Sequence, residues 1–235
     1  MILGGLVGNS SIDTILAGAP GSLRVVGHLP QPTHDAAAAM LGSSVYFFGG
    51  GAATSTPTVV RVSLSGSASD AGTLIEPLSD LGAVVVGGTA YLVGGYTGTQ
   101  FATAILRYAG ANDPVAARLP VGLRYAGVAA IGRTIYVAGG LTMSGESRAI
   151  YAVTGHTVRQ IGTLPRAESA AALAALNGTL YYAGGRKILA INPRSGKATV
   201  AARLPVSLAN ATATTVGNEI VIAGGGTNGV WAFQP

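Results

Sequence analysis

Short runs of apolar residues recur along the chain, and a pair of glycines follows each of five such runs. The runs lie at 45–48, 90–93, 135–138, 180–183 and 220–223. They are too short for helices, contain β-branched and aromatic residues and are bounded by turn residues, which predicts β-strands. A glycine- or asparagine-containing turn precedes each run, as expected of the second strand of a hairpin.

The glycine pairs are evenly spaced. They stand at Gly4-Gly5, Gly49-Gly50, Gly94-Gly95, Gly139-Gly140, Gly184-Gly185 and Gly224-Gly225, at intervals of 45, 45, 45, 45 and 40 residues. A leucine precedes each of the last five pairs by 20 residues. A fixed spacing of this kind indicates an internal repeat of one supersecondary unit.

Each repeat predicts four strands, the first of them rich in small residues. The small-residue stretches lie at 36–39, 83–86, 126–130, 170–175 and 211–215. Small side chains are expected where the innermost strands of propeller blades converge on a central channel. On propensity alone Ala170 to Leu176 also fits a helix, but its position in the repeat predicts a strand. The spacing exceeds that of leucine-rich repeats, and no 3.6-residue apolar face suggests stacked helices.

The repeat resembles that of the kelch family, in which a Gly-Gly doublet closes the second strand of each blade. The doublet and the apolar run before it carry the resemblance over nearly the whole chain. The tyrosine and tryptophan of the family pattern are mostly missing, with partial matches at Tyr108, Tyr151 and Trp231. The resemblance implies an all-β, six-bladed β-propeller.

The two ends of the sequence each supply an incomplete repeat. We expect a single domain over 1–235, with four-stranded blades and three-stranded first and last blades. Its repeats are 1–30, 31–75, 76–120, 121–165, 166–205 and 206–235. A fragment of a longer chain is the alternative that would explain these ends.

Composition restricts the classes of function. Charged residues are 10% of the chain and hydrophobic residues 49%, which excludes a disordered polymer. The net charge of +5 is scattered, with only Arg186 and Lys187 adjacent among the basic residues, so nucleic-acid binding is not expected. The absence of cysteine excludes disulfides and thiolate chemistry. Glycines interrupt the longest apolar stretch, Leu81 to Tyr96, and the start lacks a signal-peptide pattern, so neither membrane insertion nor a leader is expected.

One group of candidate binding residues occupies equivalent positions fourteen and fifteen residues before the doublets. We expect these residues to surround the channel mouth, with Glu168 one position earlier in its own repeat. They include His34, Asp35, Ser79, Asp80, Arg124, Tyr125 and Asn210. Such groups can bind a cation or a sugar or perform acid–base chemistry, whereas the structural interpretation is that Asp35 and Asp80 cap turns. The histidines lack metal-ligand spacing, and no cofactor motif appears, so no metal or cofactor is expected.

A second candidate lies in the fifth repeat, which is five residues shorter than the others. The loss follows Gly185, where Arg186 and Lys187 lead directly into the third strand. A shortened loop would leave a groove beside the two cations that can admit an anionic or carbonyl-bearing partner. A deletion without functional consequence is the alternative.

Two functions are compatible with this pattern. The first is a non-catalytic recognition module that binds a protein or a carbohydrate through the loop face at the mouth, as the kelch resemblance implies. The second is a small-molecule enzyme of the sugar mutarotase or lyase type, with Arg124, Glu168, Asp80 and His34 as binding or acid–base groups. The Ala, Gly and Arg bias suggests a bacterial source, in which such propellers often form extracytoplasmic parts of larger proteins. We expect a monomer, and an extracytoplasmic location if the chain is a fragment.

Overall fold

The computed structural model describes residues 1–110 and 112–235, and all the regular elements in them are β-strands. Internal contacts divide the chain into two compact units, Met1–Ala116 and Ala117–Pro235. We call them the N-terminal and C-terminal units, and the division falls within one strand, Val115–Arg118. The single domain expected from the sequence stays a prediction.

The first three repeats form one three-stranded sheet followed by two four-stranded sheets. The three-stranded sheet contains β1 (Ile2–Val7), β2 (Ser10–Ala17) and β3 (Arg24–His28). The next contains β4 (Ala37–Leu41), β5 (Ser44–Phe48), β6 (Thr58–Ser63) and β7 (Ala68–Thr73). The third contains β8 (Gly82–Val86), β9 (Thr89–Val93), β10 (Ala104–Arg107) and β11 (Val115–Arg118). Strands lie in each sheet in chain order, as successive hairpins produce.

The last three repeats continue this organisation. Repeat four comprises β12 (Gly127–Ile131), β13 (Thr134–Ala138), the short hairpin β14 (Leu141–Thr142) and β15 (Gly145–Glu146), then β16 (Ala149–Thr154) and β17 (Thr157–Thr163). Its main sheet has the order β12-β13-β16-β17. Repeat five comprises β18 (Ala172–Leu176), β19 (Thr179–Ile191) and β20 (Ala198–Leu208). Repeat six comprises β21 (Ala211–Val216), β22 (Glu219–Gly224) and β23 (Val230–Phe233).

The strand predictions agree with these elements. The five apolar runs lie in β5, β9, β13, β19 and β22, and the alanine-rich stretch after Ala170 forms strand β18 rather than a helix. The first and last sheets have three strands each, as the incomplete end repeats predict. The structure therefore confirms the small antiparallel sheets that the repeat pattern predicts, while closure into six blades stays a prediction.

Repeat five differs from the predicted four strands. Its second and third strands are one continuous element, β19, whose first part pairs with β18 and whose last part pairs with β20. The five-residue deletion removes the loop that separates these strands elsewhere. Gly185 and Lys187 themselves pair with Leu208 and Arg203 of β20, so strand pairing continues through the shortened segment.

The core lies between neighbouring sheets in each unit. In the N-terminal unit Phe48 is fully buried and contacts Tyr108 edge-on, with ring centroids 4.9 Å apart. In the C-terminal unit Tyr181 contacts Phe233 in the same manner at 5.5 Å. The leucine that precedes each doublet by 20 residues is buried in all five cases, at Leu29, Leu74, Leu119, Leu164 and Leu204. The periodic leucines are thus core positions.

Small residues allow the first strands of neighbouring repeats to pack side by side. Strand β4 contacts β8 in the N-terminal unit, and β18 contacts both β12 and β21 in the C-terminal unit. Gly127 shows how close these contacts are, because a Cβ added there would lie 2.8 Å from the Cβ of Leu173. This close approach explains the small residues of the first strands.

The glycine doublets join one repeat to the next. The second glycine donates its backbone N–H to a carbonyl of the following repeat, from Gly5 to Thr33 at 2.8 Å, Gly50 to Leu78 at 2.8 Å and Gly140 to Glu168 at 2.9 Å. The first glycine of these doublets has a left-handed backbone, as at Gly49 with a φ of 60°. A Cβ on Gly49 would overlap the Leu78 carbonyl oxygen, so the contact requires glycine.

No helix in the described ranges has both the length and the apolar character needed to span a membrane.

Replacement of Gly49 by alanine is expected to destabilise the protein by more than about 2 kcal/mol, because left-handed strain adds to overlap with a backbone carbonyl. Gly87→Ala is the matched control: its φ is 59°, yet no atom lies within 4 Å of an added Cβ. This variant should lose only about 1 kcal/mol. Urea unfolding measures both, and equal losses would contradict a specific role for the contact between repeats.

Candidate functional site

Within a repeat, two loops are held together at one end of the sheet. In three repeats, the residue fifteen positions before the doublet exchanges two backbone hydrogen bonds with the residue that follows the doublet. These pairs are His34 with Gly51, Ser79 with Tyr96, and Arg124 with Leu141, at 2.7 to 3.0 Å. We call each pair a loop tie. Because a tie uses only backbone groups, the side chains on either side of it are free to vary.

The residue fourteen positions before each of the last five doublets has a left-handed backbone. It has a φ between 54° and 61° at Asp35, Asp80, Tyr125, Ala170 and Asn210. Consecutive members are joined by backbone hydrogen bonds, from Asp80 N to Asp35 O at 2.7 Å, Ala170 N to Tyr125 O at 3.0 Å and Asn210 N to Ala170 O at 2.7 Å. Aspartate and asparagine tolerate this conformation better than most residues. The backbone thus supports the structural interpretation of Asp35 and Asp80 as turn residues.

In the N-terminal unit, the predicted mouth residues contact their neighbours closely. The His34 ring bonds Ser11 Oγ through Nδ1 at 2.9 Å and approaches Asp35 Oδ2 through Nε2 at 3.6 Å. Ser79 Oγ donates to Asp80 Oδ2 at 3.2 Å, and both residues are buried. These four side chains form two local pairs in consecutive repeats.

In the C-terminal unit, Arg124 and Tyr125 also interact with each other. Arg124 Nη2 donates to Tyr125 Oη at 2.9 Å, and the guanidinium carbon lies 4.5 Å from the ring centroid. Asn210 is exposed and belongs to the left-handed series through its backbone. The Arg124–Tyr125 pair presents a cation and an aromatic ring together.

The loop tie is missing in repeat five. Within the described C-terminal unit, no backbone hydrogen bond joins Ser169 to Arg186, the two residues at the tie positions. Ser169 instead donates its backbone N–H and its hydroxyl to Glu146 Oε1, at 3.2 and 2.8 Å. Glu146 lies on the short hairpin β14–β15 of the preceding repeat. Its carboxylate thus takes the place of the backbone carbonyl that accepts this bond elsewhere.

A groove of about 350 Å³ lies beside Arg186, one of the two residues at the missing tie. It is lined by Pro165, Arg166, Glu168, Gly184, Gly185, Arg186, Lys187, Leu189, Val200 and Ser207. The structure therefore brings together three of the predicted residues, Glu168, Arg186 and Lys187, in one groove. Arg186 donates from Nη2 to the Pro205 carbonyl at 2.7 Å, which holds its side chain along β20.

Glu168 occupies a position that is apolar in most repeats. Its equivalents Leu78, Leu123 and Leu208 are almost completely buried. The Glu168 carboxylate lies against the doublet, since a Cβ added to Gly184 would be 2.8 Å from Oε2. Burial raises the pKa of Glu168; nearby Arg166 opposes this shift, Glu146 adds to it and Lys187 opposes it.

Beneath Glu168 lies a buried tyrosine. The Tyr182 hydroxyl donates to the Glu168 carbonyl at 3.4 Å. Burial raises the pKa of Tyr182, and the carboxylates of Glu168 and Glu146 add to the shift, so the phenol stays neutral. Tyr182 therefore supports the backbone of the groove and is not a source of negative charge.

The same groove exists in neutral form between repeats one and two. This second groove, of about 320 Å³, is lined among others by Gln31, Thr33, Gly49 and Gly51. These residues stand three 45-residue steps before Arg166, Glu168, Gly184 and Arg186. These two grooves of the described residues thus have different linings, and of the two the groove of repeat five carries charges.

Sequence reasoning missed two groups at this site, Arg166 and Glu146. Arg166 follows the Leu-Pro pair, where the equivalent residue of repeat two is Gln31, and comparison of aligned repeats would have identified the change. Glu146 gave no signal, because its role depends on the short hairpin that places it beside Ser169. Among the described residues, no group of three His, Cys, Asp or Glu side chains is arranged to hold a metal ion.

No family model and no curated protein matches the chain. Among solved structures, the chain is similar to one described as "Structure of YjhT", with a TM-score of 0.81 and 13% sequence identity. The match covers 98% of this chain and 92% of that chain. At this identity the similarity shows the fold alone, and with the small antiparallel sheets it supports a β-propeller-like fold.

Replacement of Ala170 by asparagine is expected to stabilise the protein by about 0.5–1 kcal/mol, because asparagine tolerates the left-handed backbone better than alanine. The reverse change at the equivalent position, Asn210→Ala, should destabilise it by a similar amount. Thermal unfolding at fixed pH measures both. Shifts of the same sign in the two variants would contradict a shared backbone constraint.

Proposed function

We propose that the chain is a six-bladed propeller of kelch-like repeats that acts as a non-catalytic recognition module. It binds a protein or a glycan through the loop face. The observation that carries this proposal is the loop tie, which holds two sets of variable loops at one end of the sheets by backbone bonds alone. Loops on a rigid scaffold with freely varying side chains are a common basis for recognition.

The side chains at this face favour binding over catalysis. Asp35 and Asp80 stand at left-handed turn positions, and Asp80 is buried against Ser79. Arg124 and Tyr125 present a paired cation and ring, a combination well suited to contacts with a partner. A bacterial, extracytoplasmic and monomeric protein stays the expectation.

The alternative function, a mutarotase or lyase, has one supporting observation. The raised pKa of Glu168 is a property of groups that exchange protons during catalysis. Within the C-terminal unit, however, Glu168 lines the groove of repeat five, whereas Arg124 lies against Tyr125 and is tied to Leu141. Recognition is therefore the function we favour.

The recognition proposal predicts a ligand whose affinity depends on Arg124. Fluorescently labelled protein is applied to glycan and peptide arrays, and each ligand found is measured again with two variants. Arg124→Ala should weaken binding about tenfold, because a cation paired with a ring is lost from the loop face. Arg133→Ala is the control, since Arg133 is exposed in the hairpin turn between β12 and β13, at the other end of the same sheet.

Equal affinity of the Arg124→Ala variant for every ligand would contradict binding at this face, as would a larger loss with Arg133→Ala. An array without any ligand would contradict the recognition function itself. Circular dichroism of both variants establishes that the fold is retained.

A further inference from the structure

The groove of repeat five differs from its neutral counterpart in two independent respects. Its loop tie is missing, whereas the counterpart keeps the tie between His34 and Gly51. Its lining also carries charges where the counterpart has Gln31, Thr33 and Gly51. A loss of packing alone would not be expected to add charges to the lining as well.

The charges of the groove are incompletely neutralised. Three cations, Arg166, Arg186 and Lys187, line the groove with one carboxylate, Glu168, and the Glu146 carboxylate lies close enough to raise the pKa of Glu168. No ion pair within 4.0 Å joins Glu168 to any of them in the described part of the chain. All three cations belong to exposed residues. The groove therefore has an excess of positive charge that an anionic ligand would complete.

The other lining residues indicate which kind of anion fits. Leu189 and Val200 form an apolar side, and Val200 is 52% exposed. No aromatic side chain lines the groove, whereas sugar rings are usually held against an aromatic face. Arginine-containing clusters are a recurring means of binding acidic peptide motifs. A peptide carboxylate with an aliphatic stem matches both the cations and the apolar side.

We propose that the groove of repeat five binds a short acidic segment of a partner protein, whose carboxylates contact Arg166 and Lys187. This inference rests on the proposed recognition function and names its ligand. Glu168 opposes the ligand's negative charge and thereby limits affinity. The neutral groove of repeats one and two does not bind such a segment.

The test uses the full chain and a tetraglutamate peptide blocked at both ends, with fluorescence anisotropy at pH 7.5 and low salt. Tetraglutamate should bind, and tetraglutamine should not. Arg166→Ala and Lys187→Ala should each weaken binding about fivefold, the effect of one exposed charge contact. Lys197→Ala removes the same charge from an exposed residue outside the groove and should change affinity less than about twofold.

Glu168→Gln provides a test in the opposite direction, because removal of its charge should tighten binding about threefold. A gain of affinity cannot arise from partial unfolding, so this variant keeps the proposal testable if the alanine variants lose stability. Equal binding of tetraglutamine, equal effects of Lys187→Ala and Lys197→Ala, or binding of glucuronate without tetraglutamate would each overturn the acidic-peptide site. In each of these cases, the recognition function would still be supported if the ligands found on the arrays bind the Arg124→Ala variant more weakly.

Discussion

The contact on which the repeat depends is the backbone hydrogen bond from the second glycine of one doublet to a carbonyl of the next repeat. It is made at Gly5, Gly50 and Gly140. The glycine before each of them has a left-handed backbone, and a Cβ there would overlap atoms of the next repeat. Because this bond uses main-chain atoms, it fixes the positions of successive sheets without specifying surface residues. The loop ties and the left-handed series beyond the doublets extend the same principle to the loop face.

Repeat five shows what happens when one part of this arrangement changes. Gly184 is not among the glycines with positive φ, and Ser169 bonds Glu146 instead of the residue after the doublet. The main-chain contacts of repeats two to four are partly replaced here by side-chain contacts. A position that is leucine in three other repeats can then hold Glu168, because its side chain reaches an open groove rather than a packed core.

Much of the fold was predictable because the constraints act at fixed intervals. The glycine doublets, the periodic leucines and the small-residue strands each need a particular residue type for a local reason, so the sequence displays them directly. The left-handed positions were visible only in part: Asp35, Asp80 and Asn210 suggest turns, whereas Tyr125 and Ala170 do not. The merged strand β19 was not predicted, because strand pairing through Gly185 and Lys187 depends on partners in β20.

The residues of the candidate site were likewise predictable from the sequence only in part. The short repeat pointed to Arg186 and Lys187, because a deletion against a fixed interval is readable from one sequence. Arg166 and Glu146 belong to the site through tertiary contacts that a single repeat does not reveal. The neutral groove of repeats one and two is the strongest argument that the charges matter: the same backbone accommodates Gln31 and Thr33, so packing does not require Arg166 or Glu168 at the equivalent positions. Charged residues that the fold does not need, in a groove whose neutral counterpart keeps its loop tie, are the basis for proposing an anionic ligand.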